Sequence, residues 1–278
     1  METASTNGSR TVALLYLGAG LAVLVPVLLV PLLAGRPAKN LAGSHLAARA
    51  RLAVAALVGA TGTATAAVLV LLASAAAVVT VCWPLGEALS RWERAIDWPV
   101  WRYVGNHRNP RWERMNAALT LLGDRPWLMA VSMVAAVVFG ALWRRRWWIP
   151  VVSLAGGFLV EQYTQHILKL VVDRGHPPTD LGTYPSGGVA RVLVTFGLIA
   201  LLAALTWPIP ARGRVALGTA VATAASIEGY TRLYLQKHWL TDIVGGLVFG
   251  ALLCAGCLLS LYVLSGRCAG RPIAGPTR

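Results

Sequence analysis

The chain has 278 residues, 56% of them hydrophobic and only 13% charged, about half the charged share of an ordinary soluble domain. With the apolar residues gathered in long runs, that composition excludes a soluble globular enzyme and points to a multi-pass membrane protein. The net charge of +14 then reads as membrane topology and contact with anionic headgroups, and a nucleic-acid partner has no further support.

In chain order, the apolar runs predict seven helical spans near 11–34, 54–83, 127–143, 147–172, 189–208, 213–233 and 240–265. The first is long for the apolar stretch of a signal peptide, and no small-residue cleavage site follows it. The second is over-long for one crossing and is expected to end at Pro84. Three units result: a first span with a basic loop (1–53), a membrane domain (54–265) and a basic tail (266–278). Seven spans put the loop 35–53, the loop at 144–146, the loop at 209–214 and the C-terminus on one side. Those segments carry Arg and Lys with no Asp or Glu, which marks the cytoplasmic face. The opposite, outer face receives 84–126, 173–188 and 234–239. Of these, 84–126 mixes Trp with Arg and Glu, the pattern of an amphipathic helix in the headgroup layer. It reads as an interfacial scaffold or as one wall of a lipid entry route.

Cys82, Cys254, Cys257 and Cys268 form no pairing framework; Cys254 and Cys257 lie in an apolar helix and read as small packing residues. Gly246 and Gly250 form a GxxxG, the signature of close helix packing.

Polar residues inside a membrane are costly, so function is sought there. In the fourth span, Gln162, Gln165, His166, Lys169 and Asp173 recur at helical spacing along one stripe toward the outer face. They suit either a polar seam between helices or, for Lys169, an approach to the Pro-rich outer loop. Glu161 and Glu228 lie deeper and are expected to pair with neighbours. In "YTRLYLQKHWLTDIVGG", His238 and Asp242 stand one turn apart if a helix starts near His238. The carboxylate can then fix the imidazole tautomer and leave the other nitrogen free to attack. Arg232, six residues before His238, offers a planar fork suited to phosphate oxygens. The stretch "TYPSGGVAR" resembles a phosphate-binding loop, whose glycines let backbone amides approach an anion.

Taken together, "KLVVDRGHP", "YPSGG" and "TRLYLQKHWLTD" resemble, in order and spacing, the three motifs of the type 2 phosphatidic acid phosphatase (PAP2) superfamily. That family's pattern is Lys-x6-Arg-Pro, Pro-Ser-Gly-His and Ser-Arg-x5-His-x3-Asp. The resemblance covers roughly 54–265 and implies an all-α, polytopic transmembrane bundle: a six-helix core, with 11–34 as an extra N-terminal span. It also implies a lipid phosphate phosphatase or phosphotransferase of the cell membrane that works on the outer face without metal or other cofactor. Residue by residue, Lys169, Arg174 and Arg232 would bind phosphate with the backbone and hydroxyl around Ser186, Gly187 and Gly188. His238 would be the nucleophile and Asp242 its orienting partner.

Two departures stand out. The family arginine before the proline is His176, with Arg174 two residues earlier. The family histidine that closes the second motif, a general acid, is Gly188. Three expectations follow. His176 could supply the missing proton. The substrate could be a lipid diphosphate whose leaving group needs no proton. Or the pocket could bind or move a lipid phosphate, or use one as a transferase donor, without hydrolysis.

Overall fold

A computed structural model describes residues 45–266, with side-chain surroundings from residue 53. The span expected at 11–34, Cys268 and the basic tail beyond 266 lie outside the described residues. Every regular element among them is helical. The chain runs α1 (His45–Thr61), α2 (Thr63–Ser90), a π-turn (Glu93–Asp97), α3 (Trp98–Asn106), α4 (Pro110–Leu119) and a 3₁₀ turn (Thr120–Gly123). It continues with α5 (Arg125–Leu142), α6 (Trp148–Val171), α7 (Gly187–Thr206), α8 (Ala211–Tyr234) and α9 (Leu240–Leu264).

Four of these, α2, α5, α7 and α9, are long and apolar enough to cross a bilayer. α6 and α8 match them in length, but carry Glu161 and Lys169, and Arg212, Arg214, Glu228 and Arg232. Glu161, Lys169, Glu228 and Arg232 are polar residues that the sequence already singled out, whereas Arg212 and Arg214, expected in the loop 209–214, lie in the first turn of α8. α7 and α9 are the central pair, with 72% and 67% of their most apolar windows buried, against 28% and 22% for α2 and α5. α2 and α5 instead turn Val68, Leu72, Met133 and Val137 outward, as helices at a lipid boundary do. The α7–α9 contact is close because α9 offers glycine where the two cross: a Cβ built on Gly246 would lie 2.6 Å from the Ser186 carbonyl oxygen, and one on Gly250 2.6 Å from Ala190 Cα. The GxxxG therefore serves helix packing, and Cys82, Cys254 and Cys257 are free, buried thiols.

Two boundaries differ from the expected ones. The run 54–83 is not one helix: Gly62, at φ +81°, divides α1 from α2, a conformation glycine adopts at little steric cost. Nor does Pro84 end α2, which continues to Ser90. A proline removes one N–H from the ladder, and here the helix is held on both sides of it. Cys82 is buried, with its carbonyl accepting from Tyr184 Oη at 2.8 Å, and Gly86 packs against the Tyr184 ring.

The segment 84–126 folds as short helices, and α3 and α4 touch α8. Asn109 caps α4, its side chain accepting from Arg111 N at 2.9 Å.

Candidate active site

The candidate residues converge where the N-termini of α7 and α9 meet the C-terminal end of α8. α9 begins right after Trp239, whose backbone N–H donates to Asp242 Oδ2 at 3.1 Å. The same carboxyl group faces the imidazole, with His238 Nδ1 3.4 Å from Oδ2. Asp242 is thus both the helix cap and the imidazole's partner. An aspartate on Nδ1 selects the tautomer with a proton there and leaves the Nε2 lone pair free. The loop 179–184 lies against the ring, and a Cβ built on Gly182 would sit 2.7 Å from Nε2. Burial pushes the His238 pKa below the ordinary imidazole value, against the upward pull of Asp242. Burial thus favours the neutral ring, the form with a free Nε2 lone pair.

α7 starts two residues earlier than the span expected at 189–208, so Gly187 and Gly188 are its first turn. Their amides belong to the free N–H groups of a helix start, where an anion is favoured. The Ser186 amide is already engaged, donating to the Asp242 backbone carbonyl at 3.0 Å. Its hydroxyl, fully buried, has no partner among the described residues. Gln165 Nε2 donates to the Pro185 carbonyl at 3.2 Å and fixes the loop from α6. In the stripe on α6, Gln165 is buried and Lys169 half-buried, whereas His166 and Asp173 point outward.

Three cations approach this corner differently. Lys169 makes no hydrogen bond or ion pair with any described residue. Arg232 donates from Nε to Glu228 Oε1 and from Nη2 to Asp124 Oδ1, each at 2.5 Å. Arg174 is enclosed between Asp97, at 2.5 Å from Nη2, and Asp242, at 3.2 Å from Nε. Its Nη1 has no hydrogen-bond partner among the described residues. His176 is exposed and takes part in no hydrogen bond or ion pair among the described residues. The chain is anchored just before it, where the Gly175 carbonyl accepts from Trp239 Nε1 at 3.3 Å.

Gly188 shows why a larger residue is missing there. A Cβ at this position would lie 2.6 Å from Glu228 Oε1 and 3.0 Å from Arg232 Nε. The Glu228–Arg232 pair fills the space a side chain would need.

Several functional neighbours escape a motif-based reading. Asp97, on the π-turn, accepts from the Thr241 amide at 3.0 Å and from its hydroxyl at 2.6 Å. It caps α9 from outside the bundle and pairs with Arg174. Burial raises the pKa of its carboxyl, while Thr241 and Arg174 oppose the rise. Gln236 donates to the Trp101 carbonyl at 2.9 Å, tying α3 to the loop that carries His238. Trp98 packs on Trp239 with ring centroids 5.3 Å apart. The amphipathic segment therefore braces the corner that carries His238, and Trp in that segment is its advance sign in the sequence. Deeper, Arg191 pairs with Glu161 at 3.2 Å and donates to the Gly123 carbonyl at 2.7 Å, so both deep glutamates are paired as expected.

Against known proteins, the sequence profile of the PAP2 superfamily matches residues 28–264. No curated protein matches the chain. Among solved structures, a similar fold is the crystal structure of a transmembrane PAP2-type phosphatidylglycerolphosphate phosphatase from Bacillus subtilis. The two share a TM-score of 0.58 and 18% identity over 72% of this chain and 98% of the other. With the profile match spanning most of its length, this all-helical membrane protein belongs to the PAP2 superfamily.

Proposed function

We propose that the chain is a lipid phosphate phosphatase or phosphotransferase of the cell membrane, acting on the extracytoplasmic face through a phosphohistidine. The observation that carries this reading is His238, whose Nδ1 is matched to Asp242 beside Arg232, Lys169 and the start of α7. Binding an anion needs the cations; it does not need an imidazole held in one tautomer.

In this reading, Nε2 attacks phosphorus in line with the departing oxygen. Asp242 stabilises the imidazolium as it forms. Lys169, Arg232 and the amides of Gly187 and Gly188 take the charge on the phosphoryl oxygens, with Ser186 donating its hydroxyl, while Arg174, enclosed by Asp97 and Asp242, holds Asp242 in place. Water then cleaves the phosphohistidine. The substrate class is a lipid carrying a terminal phosphate or diphosphate. A polyprenyl diphosphate is the variant least dependent on acid catalysis, because a phosphate leaves more readily than an alkoxide.

The experiment is phosphate release by purified protein in detergent from a polyprenyl diphosphate, its monophosphate and phosphatidate. Release lost to background in His238→Ala supports the reading. Release equal in wild type and His238→Ala on every substrate refutes hydrolysis through His238 and leaves a lipid-phosphate binder or a transferase. His176→Ala in the same panel tests the exposed histidine as proton donor, and an unchanged pH profile removes it from that role.

A further inference from the structure

Lipid monophosphate hydrolysis must expel an alkoxide, which needs a proton. His238 cannot give one while attacking, and Asp242 is engaged by Trp239 N and His238 Nδ1. A different carboxyl group stands at the mouth of α7. Glu228, on α8, is fully buried; Oε1 holds Arg232 Nε, and Oε2 has no hydrogen-bond partner among the described residues. Two glycines make room for it. A Cβ on Gly123 would meet Oε1 at 2.1 Å, and one on Gly188 would meet it at 2.6 Å. The carboxyl group is thus wedged against the first turn of the helix whose amides face the phosphate, with one oxygen uncommitted.

We propose that Glu228 is the general acid and base of this site, supplying the proton for the departing lipid oxygen. This rests on the phosphohistidine reading above. The proton arrives with the substrate. In the free protein Arg232 is shared between Glu228 and Asp124, with Lys237 in the following loop and Arg191 on α7 as the other charged neighbours. A phosphate that takes up the charge of Arg232 leaves the Glu228 carboxylate buried beside a second anion, a state relieved by binding a proton from solvent.

Nε2 then forms its bond to phosphorus as the bond from phosphorus to the lipid oxygen breaks. The electron pair goes to that oxygen, which takes the proton from Glu228 and leaves as an alcohol. In the second half, water attacks phosphorus and gives a proton to the Glu228 carboxylate. The nitrogen–phosphorus bond breaks with its pair returning to Nε2, and phosphate is released with both residues restored.

The test is the ratio of rates on a polyprenyl monophosphate and the matching diphosphate, measured in one preparation of Glu228→Gln. A ratio within one preparation does not depend on how much of the protein folds. Glutamine keeps an oxygen for Arg232 but has no proton to give. The monophosphate rate should fall about 10²–10⁴-fold and the diphosphate rate less than tenfold, with loss of the alkaline limb of the monophosphate pH profile. Equal losses on both substrates would make Glu228 a positioning residue for Arg232 and overturn the proposal; so would no loss. A second variant probes the space directly: Gly188→His combined with Glu228→Ala should recover monophosphate turnover relative to Glu228→Ala alone. A double variant no faster than Glu228→Ala counts against the proposal. Wild type no faster than His238→Ala would instead refute the phosphohistidine reading, and this inference with it.

Discussion

Two arginines at this corner of the molecule each meet two carboxylates, yet their situations are opposite. The side chains of Arg174, Asp97 and Asp242 are 1%, 0% and 0% exposed, whereas Arg232 is 12% and its partner Asp124 32% exposed. The Arg174 network is closed: it ties the π-turn, the first motif and the start of α9 together, and places Asp242 under His238. The Arg232 network has an open side. Its two carboxylates, Glu228 and Asp124, fix the guanidinium, and Asp124 is the more exposed of the two. Under the proposed function, Arg174 would build the site and Arg232 would meet the substrate, a division that three bare motifs conceal because they treat both as phosphate ligands.

The strongest way to break this comparison is to remove one acid from each network. Asp97→Ala leaves Arg174 buried with only Asp242 and removes the cap on Thr241. A broken buried pair costs about 3–5 kcal/mol, so thermal unfolding in detergent should show severe destabilisation. Asp124→Ala, at the rim, should cost no more than about 1 kcal/mol. Similar losses in the two variants would erase the distinction between a closed and an open network. Lys169 comes next, as a half-buried cation with no described partner. Lys169→Met keeps the aliphatic stem and removes the charge, and should lower kcat/KM about 10²–10³-fold, the loss seen when one preorganised donor to a developing anion is deleted. Melting temperature should hold or rise, since the free protein gives that charge no partner; a clear fall in stability would assign it a structural task instead.

What could be read from the sequence divides along similar lines. The apolar runs marked α2, α5, α7 and α9, and motif spacing brought Lys169, Ser186, Gly188, Arg232, His238 and Asp242 to one corner. The break at Gly62 was hidden because an Ala- and Thr-rich run is apolar through the turn, and only the backbone angle divides it. Asp97 and Gln236 were hidden for another reason. In an amphipathic segment a carboxylate reads as headgroup-facing, and nothing local shows that Asp97 reaches a helix start 144 positions away. His176 is the converse case. Its place in a motif suggests an imidazole at the site, while in the fold it is exposed, beside a carbonyl that Trp239 holds, and the panel with His176→Ala decides its role. Glu228 was legible as a paired intramembrane acid. That it pairs in the space left by Gly188 depends on how α7 and α8 pack, which no local pattern encodes.

The smallest expected effect is also the most diagnostic for His238. Burial holds its pKa below the ordinary value, with Asp242 pulling upward and Arg232 and Lys169 adding to the depression. Protonation removes the attacking lone pair, so the acid limb of kcat/KM should fall below pH of about 6.5, the value for free imidazole. The same shift has a sign for stability. The unfolded chain protonates this histidine first, so the contribution is fully present above pH of about 6.5 and is lost as pH falls through the depressed folded value. His238→Gln should flatten that part of the stability profile, whereas Lys169→Met should raise the acid limb slightly by removing a repelling charge. An acid limb at or above pH of about 6.5 in wild type would mean that Asp242 outweighs burial, and that the ring must lose a proton before it can attack.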